Sequence, residues 1–328
     1  MKKKVLMASA AVLATLALAS CGSSKSSDST VKFYLPDGTP ALAVANLLDE
    51  GFSYDGKTIE FEIVSADTIM ASIAKDDCDL AICPTIAAAQ AYNAGTDIEL
   101  VTNNVFGNLY VVSTSSSQSL SDLVGKVVYT TSGATTSKLL EYELTKNNIS
   151  YTTGSEAVEG KVTLCIKSAA SEIIPLLLAG AKQGNEALGV LGEPAVTNAQ
   201  QKLTGQGYEL NVAVDMQAEY TAINPTYTNY PQASIISHND FADDNDDFMD
   251  ALYDKLSKNE AYLLKNYSTL NTLLSNYNSS ISGTTFTEDT INRCNIGIEK
   301  AYRYQDFNNA YLKNIINITV DDDFFYDF

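Results

Sequence analysis

Five short segments of the sequence place hydroxyl, carboxylate and small side chains directly between a strand-like stretch and a helix-like stretch. They are Asp37-Gly38-Thr39, Pro84-Thr85, Ser132-Gly133-Ala134-Thr135-Thr136, Ser168 to Ser171, and Gly192-Glu193-Pro194. Hydroxyls both donate and accept hydrogen bonds, small residues let a ligand approach the backbone, and helix starts supply unpaired N–H groups. Such turns gather at one edge of an open α/β sheet, where ligands bind. Helix capping alone explains each single turn, and Pro40 lies at the start of a predicted helix, where capping favours proline.

The sequence contains few of the residue patterns that carry out catalysis or bind metal ions. His238 is the one histidine, so the sequence offers no histidine cluster for zinc and no histidine pair for acid–base catalysis. Cys83 precedes a predicted helix, but no histidine lies near it in sequence and the acids at 76–79 disfavour a thiolate. The chain also lacks a Walker loop, so any ATPase must be a separate subunit. We therefore expect a protein that is not an enzyme and that uses no cofactor and no metal.

The cysteine spacing does not predict a disulfide framework. Cys78 and Cys83 in "CDLAIC" would lie ~16 Å apart on opposite faces if this stretch is one strand. Cys165 belongs to another strand-like run and Cys294 to a helical C-terminal stretch. We expect all four to be mostly buried, reduced side chains.

The first residues, "MKKKVLMASAAVLATLALASCGSSKSS", have the features of a secretion signal. Three lysines precede an apolar stretch that is shorter than the ~20 residues of a membrane span. The end of the stretch, Leu-Ala-Ser-Cys, resembles the bacterial lipobox, in which the cysteine is lipidated. We expect residues 1–20 to be removed, Cys21 to carry the lipid anchor and 21–30 to be a flexible tether. An ordinary signal peptide cut near Ser20 is the alternative.

The remaining chain is acidic. Removing residues 1–20 takes away three lysines and no acid, which moves the formal net charge from -19 to -22. Such a charge argues against binding nucleic acid and against docking to anionic lipid through a basic patch. About 300 residues exceed what one hydrophobic core usually serves, so two lobes are expected.

The apolar pattern alternates between strand and helix from residue 31 onward. Helices are predicted at 40–49, about 134–147, 171–182 and 195–203, each after a strand-like run such as "VKFYL" or "KVVYTT". Alternation of this kind is typical of α/β sheets covered by helices. Beyond His238 the chain is predicted to be helical. Its apolar residues recur at helical spacing, and the last of them are Ile291, Ile298 and Tyr302. The tail "DDDFFYDF" is expected to pack Phe324 and Phe325 onto the body.

The order of several motifs resembles a known family. "LPDGTPA", "DDCDLAICPTIAAA", "NVFGNLYVVS", "SLSDLVGKVVYTTSGATTSKLLEYEL", "LGEPAVTNA" and "YPQASIISHNDF" follow one another as in the nitrate/sulfonate/taurine-type solute-binding proteins of ABC importers. The resemblance covers nearly the whole chain after the signal. It implies a two-lobed periplasmic-binding-protein-like fold of type II, in which each lobe is a mixed, mainly parallel sheet flanked by helices, with a helical C-terminal extension.

The resemblance also implies a division of the chain. Lobe 1 would comprise 31–104 plus about 230–328, and lobe 2 about 105–229. The chain would cross between them near 103–110 and again within 205–235. In this family the lobes close on a small molecule, and the closed form delivers it to a permease.

The candidate ligand site follows from the turns, the crossing and the resemblance. We predict that the ligand contacts Asp37, Gly38, Thr39, Cys83, Thr85, Phe106, Asn108, Ser132, Gly133, Ala134, Thr135 and Glu193. A carboxylate in the site favours a ligand with an amine or N–H face over a bare anion. We therefore rank nitrate below a zwitterion such as taurine, or an aminopyrimidine of the thiamine-precursor kind. Glu193 is equally explained as a solvated or salt-bridged acid.

The expected partners are a small-molecule ligand, ABC permease subunits with a separate ATPase, and the membrane through the lipid anchor. The protein is expected to be a monomer on the extracytoplasmic face of the cell membrane. A ligand-sensing or adhesive surface lipoprotein is the alternative, because a fold does not fix a function. A permease and ATPase in the gene neighbourhood would favour import. A pyrimidine-synthase-like enzyme is disfavoured, because the cysteine-rich motif of those enzymes is absent.

Overall fold

The framework of the molecule is two β-sheets, seen in a computed structural model that describes residues 29–116, 119–133 and 135–328. In chain order the strands are β1 (Ser29–Leu35), β2 (Ser53–Tyr54), β3 (Lys57–Ile63), β4 (Leu80–Pro84), β5 (Ile98–Phe106), β6 (Leu109–Ser113), β7 (Val127–Thr131), β8 (Tyr151–Thr153), β9 (Val162–Lys167), β10 (Leu188–Gly192), β11 (Asn211–Asp215), β12 (Pro231–His238) and β13 (Ile296–Lys300). Sheet A has the order β13-β5-β12-β4-β1-β3-β2, and sheet B has the order β11-β6-β10-β7-β9-β8. We call each sheet with its helices a lobe, lobe 1 around sheet A and lobe 2 around sheet B. The predicted signal, Cys21 and most of the tether lie outside the described residues.

Helices follow most strands. They are α1 (Thr39–Leu42), α2 (Ala45–Glu50), α3 (Ala66–Ile73), α4 (Thr85–Asn93), α5 (Thr136–Lys146), α6 (Ala170–Gln183), α7 (Ala195–Thr204), α8 (Met216–Ile223), α9 (Asn239–Asp243), α10 (Asp246–Leu256), α11 (Asn259–Asn266), α12 (Leu270–Asn276), α13 (Glu288–Arg293) and α14 (Gln305–Ile316). The helices predicted in the middle of the chain are found as α5, α6 and α7. Within the described residues, no helix is both long and apolar enough to cross a bilayer.

Both sheets are mixed. Among the described strands, sheet B has three parallel and two antiparallel pairings. Sheet A has two parallel and four antiparallel pairings. The predicted α/β fold class is confirmed, although sheet A holds more antiparallel pairs than expected. The reason is that β12 and β13, from the C-terminal part of the chain, run opposite to β4 and β5.

Apolar side chains from alternate strand positions bury both faces of sheet A. Phe33, Leu35 and Ile82 pack with α2, α10 and α11 on one face. Ala81 and Leu100 pack with α3, α4 and α14 on the other. The predicted apolar stripes of α10 to α12 lie in this core, and the four cysteines of the described residues are all buried and free, as expected.

Residues around Ile298 form a strand rather than the predicted helix. β13 pairs antiparallel with β5 at the edge of sheet A. Gly297 is the local reason for this packing, because a side-chain carbon at that position would lie 2.9 Å from the Phe106 ring. The alternation of Ile296 and Ile298 around this glycine suits a strand, whose side chains repeat every second residue.

The acidic and aromatic tail packs onto lobe 1 as predicted. Phe324 is fully buried, and Phe325 and Tyr326 are nearly so. The Tyr326 amide donates to the Leu100 carbonyl at 3.2 Å, so the tail extends along β5.

The helix predicted at 40–49 is interrupted by the side chain of Asn259. In an unbroken helix the Asn46 amide would donate to the Leu42 carbonyl. Instead the Asn259 amide oxygen accepts from Asn46 N at 3.0 Å, and Asn259 Nδ2 donates to Leu42 O at 2.9 Å. Asn259 is fully buried, and a side chain inserted into the helical ladder is a recognised cause of a break. This one amide therefore fixes α1, α2 and α11 together.

Replacing Asn259 tests this role. Asn259→Ala leaves a buried N–H and a buried C=O without partners, so we expect the free energy of unfolding to fall by about 2 kcal/mol or more. Urea denaturation measures the change. Asn266→Ala is the matched control, because Asn266 Nδ2 bonds only within its own helix, to Tyr262 O at 3.0 Å. Equal losses in the two variants would contradict the bridging role.

Glu143 is an acid buried inside lobe 2. It is fully buried on α5, and neither carboxylate oxygen has a hydrogen-bond partner among the described residues. Burial raises the pKa of Glu143 well above its ordinary value, and the nearby acids Glu219 and Asp215 raise it further. Burial therefore favours the neutral, protonated form of Glu143 in the folded protein.

A pH dependence of stability follows from this raised pKa. Above the ordinary glutamate pKa of about 4.3 the unfolded chain loses this proton and the folded protein keeps it, so Glu143 lowers stability as pH rises. Glu143→Gln cannot ionise, so we expect the variant to match the wild type near pH 4 and to melt higher at pH 7 to 8. Thermal melts across this range measure the difference. Glu141→Gln on the same helix is the control, and a Glu143→Gln profile parallel to the wild type would refute the prediction.

Candidate functional site

The turns at the ends of two strands meet between the lobes at Asn108. Thr39, at the start of α1 in lobe 1, donates its hydroxyl to the carbonyl of Glu193 in lobe 2. Asn108 Nδ2 donates to Thr39 Oγ1 at 3.0 Å and lies 3.3 Å from Cys294 O and 3.5 Å from Glu193 O. We call these four residues the Asn108 junction. It joins three predicted site residues, Thr39, Asn108 and Glu193, and all of them are buried.

Small residues bring the chain close enough to form this junction. β5 ends in sheet A and β6 begins in sheet B, so Gly107 and Asn108 are the crossing between sheets. A side-chain carbon on Gly107 would lie 2.5 Å from the Tyr230 ring, and one on Gly192 would lie 3.1 Å from Asn108 Oδ1. Glu193 N donates to Asn108 O at 3.1 Å. Gly107 therefore leaves no room for a side chain, and a side chain at Gly192 would require Asn108 to shift by a few tenths of an ångström.

The Glu193 carboxylate is salt-bridged across the lobes. Arg293, at the end of α13 in lobe 1, lies 2.7 Å from Glu193 Oε1 and donates to Thr197 Oγ1 at 3.0 Å. The second carboxylate oxygen accepts from Thr197 N at 3.1 Å. Burial raises the pKa of Glu193, while Arg293 and Thr197 act in the opposite direction. Glu193 is therefore a salt-bridged acid in this structure, and its contact with a ligand stays a prediction.

Asp37 is bound within its own lobe. Its carboxylate accepts from Gly38 N at 2.8 Å, from Ser280 N at 2.7 Å and from the Ser279 hydroxyl. Gly38 has φ +100°, a conformation that favours glycine, and a side-chain carbon there would meet only Pro40, at 4.0 Å. Asp37 therefore orients the first turn, and the space beside Gly38 is open.

Cys83 and Thr85 lie inside lobe 1. Cys83 is fully buried in the core, and burial raises the pKa of its thiol to about 12. Thr85 is also fully buried, with its hydroxyl 2.8 Å from that of Ser234, which donates to Asn103 Oδ1 at 3.0 Å. A ligand contact at either residue requires these neighbours to move.

The turn before α5 lies apart from the junction. Ser132 and Gly133 are exposed, and Ser132 N donates to Lys167 O at 3.0 Å. Thr135 is buried beside the Tyr311 hydroxyl of α14. Ala134 lies outside the described residues. In the described part of the chain, no recorded hydrogen bond connects this turn to the Asn108 junction.

Two further predicted positions have structural partners. Phe106 packs against Phe307, with ring centroids 6.3 Å apart. At the turn before α6, the N–H groups of Ser168 and Ala169 donate to Glu172 Oε1 at 3.0 and 3.1 Å. That turn therefore caps its helix with its own carboxylate.

Arg293 is the residue that sequence reasoning missed. No motif marks it, and it lies far along the chain from every turn considered. Its rarity is the one available signal, because the sequence holds only two arginines, Arg293 and Arg303.

A cavity of about 330 Å³ opens between the lobes, and none of the predicted ligand contacts that the structure describes lines it. Its walls include Ser171, Ile174, Leu178, Asn198 and Lys202 of lobe 2, and Ser280 and Ile281 of lobe 1. Its volume lies at the lower end of the range of small-molecule pockets. Within the described residues, no group of three or more His, Cys, Asp or Glu side chains is placed to hold a metal ion.

Solved structures resemble the whole described body. An ABC transporter protein from Parabacteroides distasonis is 21% identical with a TM-score of 0.72, covering 92% of this chain and 99% of that one. The periplasmic aliphatic sulphonate binding protein SsuA from Escherichia coli is 14% identical with a TM-score of 0.61, covering 91% and 92%. The chain has a periplasmic-binding-protein fold. A ligand-binding component of an ABC-type import system from Staphylococcus aureus, solved with zinc bound, shares this fold at 12% identity and a TM-score of 0.62, covering 91% and 96%.

Comparison by sequence gave no assignment for this periplasmic-binding-protein fold. No protein-family model matches the chain. No curated protein matches it either. The likeness to solved structures thus establishes the fold alone.

Proposed function

We propose that the protein is an extracytoplasmic solute-binding lipoprotein that captures a small molecule between its lobes and delivers it to an ABC permease. The observation that carries the proposal is the Asn108 junction, where turns from both lobes meet at the crossing between the sheets. A separate cavity between the lobes supplies space for a small molecule. The shared fold supports it, because one solved structure with this fold is described as a ligand-binding component of an ABC-type import system and another as a periplasmic aliphatic sulphonate binding protein. Lobe 1 then comprises 31–104 and about 230–328, and lobe 2 about 105–229.

A lipid anchor and an ATPase complete the proposed transport system. Cys21 carries the lipid that holds the monomeric protein at the extracytoplasmic face of the membrane. A separate ATPase subunit drives the permease. Closure on the solute is stabilised by whatever affinity the solute has for the closed form over the open one.

The charges beside the junction support a zwitterionic or N-heterocyclic ligand. Arg293 of lobe 1 and Glu193 of lobe 2 face each other, so one positive and one negative group are presented from opposite sides. A zwitterion such as taurine carries complementary charges and can replace the direct contact with one contact to each lobe. The neutral groups of Thr39, Asn108 and Thr197 can bind the donors and acceptors of a heterocycle such as an aminopyrimidine.

A thermal-shift screen tests the proposal. The chain from Gly22 onward is melted with taurine, alkanesulfonates, aminopyrimidines, riboflavin and nitrate. A ligand present at 100 times its dissociation constant adds about 2.7 kcal/mol, which raises the melting temperature by several degrees. We expect taurine or an aminopyrimidine to give the largest shift. No shift across a broad solute panel, together with tight binding of a protein partner, would refute solute transport.

A substitution at Glu193 tests the ligand class. Glu193→Gln removes the negative charge and keeps the shape, so we expect an amine-bearing ligand to bind about tenfold more weakly or worse. An alkanesulfonate without an amine should lose less. Calorimetry measures both affinities.

Asp289→Asn is the matched control for Glu193→Gln. Asp289 also lies near Arg293, at 3.6 Å, but its side chain is 76% exposed. An equal loss of affinity in the two variants, or unchanged binding of the amine ligand to Glu193→Gln, would remove Glu193 from the site.

A further inference from the structure

One face of α7 is hydrogen-bonded to the C-terminal segment 284–293 of lobe 1. Asn198 Nδ2 donates to Thr284 Oγ1 at 3.0 Å. The Gln201 side chain pairs with the Thr285 backbone in both directions, with Gln201 Nε2 to Thr285 O at 2.8 Å and Thr285 N to Gln201 Oε1 at 3.0 Å. Thr197 Oγ1 lies 3.4 Å from Thr290 Oγ1. These contacts lie along α7, and the Glu193–Arg293 ion pair lies just before the start of this helix.

The geometry explains why these residues act together. Positions 197, 198 and 201 have the spacing of a single helix face. Thr197, Asn198, Thr284 and Thr290 are all more than nine-tenths buried, although all four are polar. Each of these hydrogen bonds joins one lobe to the other, so separation of the lobes would break all of them. Each bond exists only while the lobes are together.

We propose that these contacts, which we call the closure seam, hold the lobes together and thereby set how strongly a solute is bound. The closure seam consists of Glu193, Thr197, Asn198 and Gln201 of lobe 2 with Thr284, Thr285, Thr290 and Arg293 of lobe 1. The apparent affinity for a solute that requires the closed form scales with the fraction of closed molecules. Seam residues that do not touch the solute therefore tune its affinity. The statement about the solute rests on the proposed function, whereas the statement about closure does not.

The first test measures closure without any solute. In the double variant Asn198→Ala with Gln201→Ala, we expect small-angle X-ray scattering to give a larger radius of gyration. We also expect hydrogen exchange in segment 284–293, which includes the Thr285 amide, to be faster by about tenfold, the change expected from the loss of one or two hydrogen bonds. Wild-type values of both quantities in the variant would overturn the proposal.

Matched variants separate opening from misfolding. Gln200→Ala, next along α7, is the control because Gln200 Nε2 bonds only within lobe 2, to Leu210 O at 3.2 Å. It should leave scattering and exchange unchanged. Thr284→Val removes a seam acceptor from the lobe 1 side, so it should open the molecule like the double variant while circular dichroism stays unchanged. An equal response of Gln200→Ala and the seam variants would also overturn the proposal.

The second test uses a solute, once the thermal-shift screen has found one. We expect Gln201→Ala, a seam variant outside the cavity walls, to bind this solute more weakly, by the same factor as its closed fraction has fallen. An unchanged affinity in a measurably opened variant would overturn the second half of the proposal. If the screen finds no solute but the seam variants open, solute binding fails and the closure seam stands, so the two proposals fail separately.

Discussion

A single buried amide, that of Asn108, holds the point where the two lobes and the C-terminal segment meet. Its Nδ2 group is near three oxygens that belong to a turn of lobe 1, a turn of lobe 2 and the residue after α13. Asn108 lies on the crossing between the sheets. The chain runs from β5 on one side of it directly into β6 on the other, which fixes its position. The turns that were expected to face a ligand are thereby oriented toward one another.

The interface near this junction is polar, and this chemistry suits a joint that has to open. Apolar surface exposed by opening would cost free energy in proportion to its area, whereas hydroxyls and amides regain hydrogen bonds to water. The same logic explains why an ion pair is tolerated there. Arg293 retains some exposure to solvent and Glu193 has none, so the pair sits at the rim of the buried region. Removal of the Arg293 side chain would leave Glu193 as an uncompensated buried charge.

The sequence predicts local features well and long-range partners poorly. The turn at Gly38, the helices α5 to α7 and the buried stripes of α10 to α12 each follow from residues close together in the chain. Asn259 and Arg293 act on residues that are more than ninety positions away, and neither has a local signature. The residues of β13 are predicted to be helical because Ile298 lies seven residues after Ile291 and four before Tyr302, which is a helical spacing. Its true state depends on the open edge of β5 and on Gly297, which local pattern does not reveal. Of the predicted site, Thr39, Asn108 and Glu193 come together, while Cys83 lies in the core.

The position of β12 in sheet A determines when lobe 1 can fold during synthesis and translocation. β12 lies between β4 and β5, so the N-terminal strands cannot form one sheet until residue 238 has left the ribosome. The split helix α1–α2 waits longer still, because its backbone is completed by Asn259. During synthesis the first half of lobe 1 therefore lacks the neighbours that would lock it. This order suits the predicted secretion signal, because threading through a translocation channel requires a polypeptide that has not yet folded.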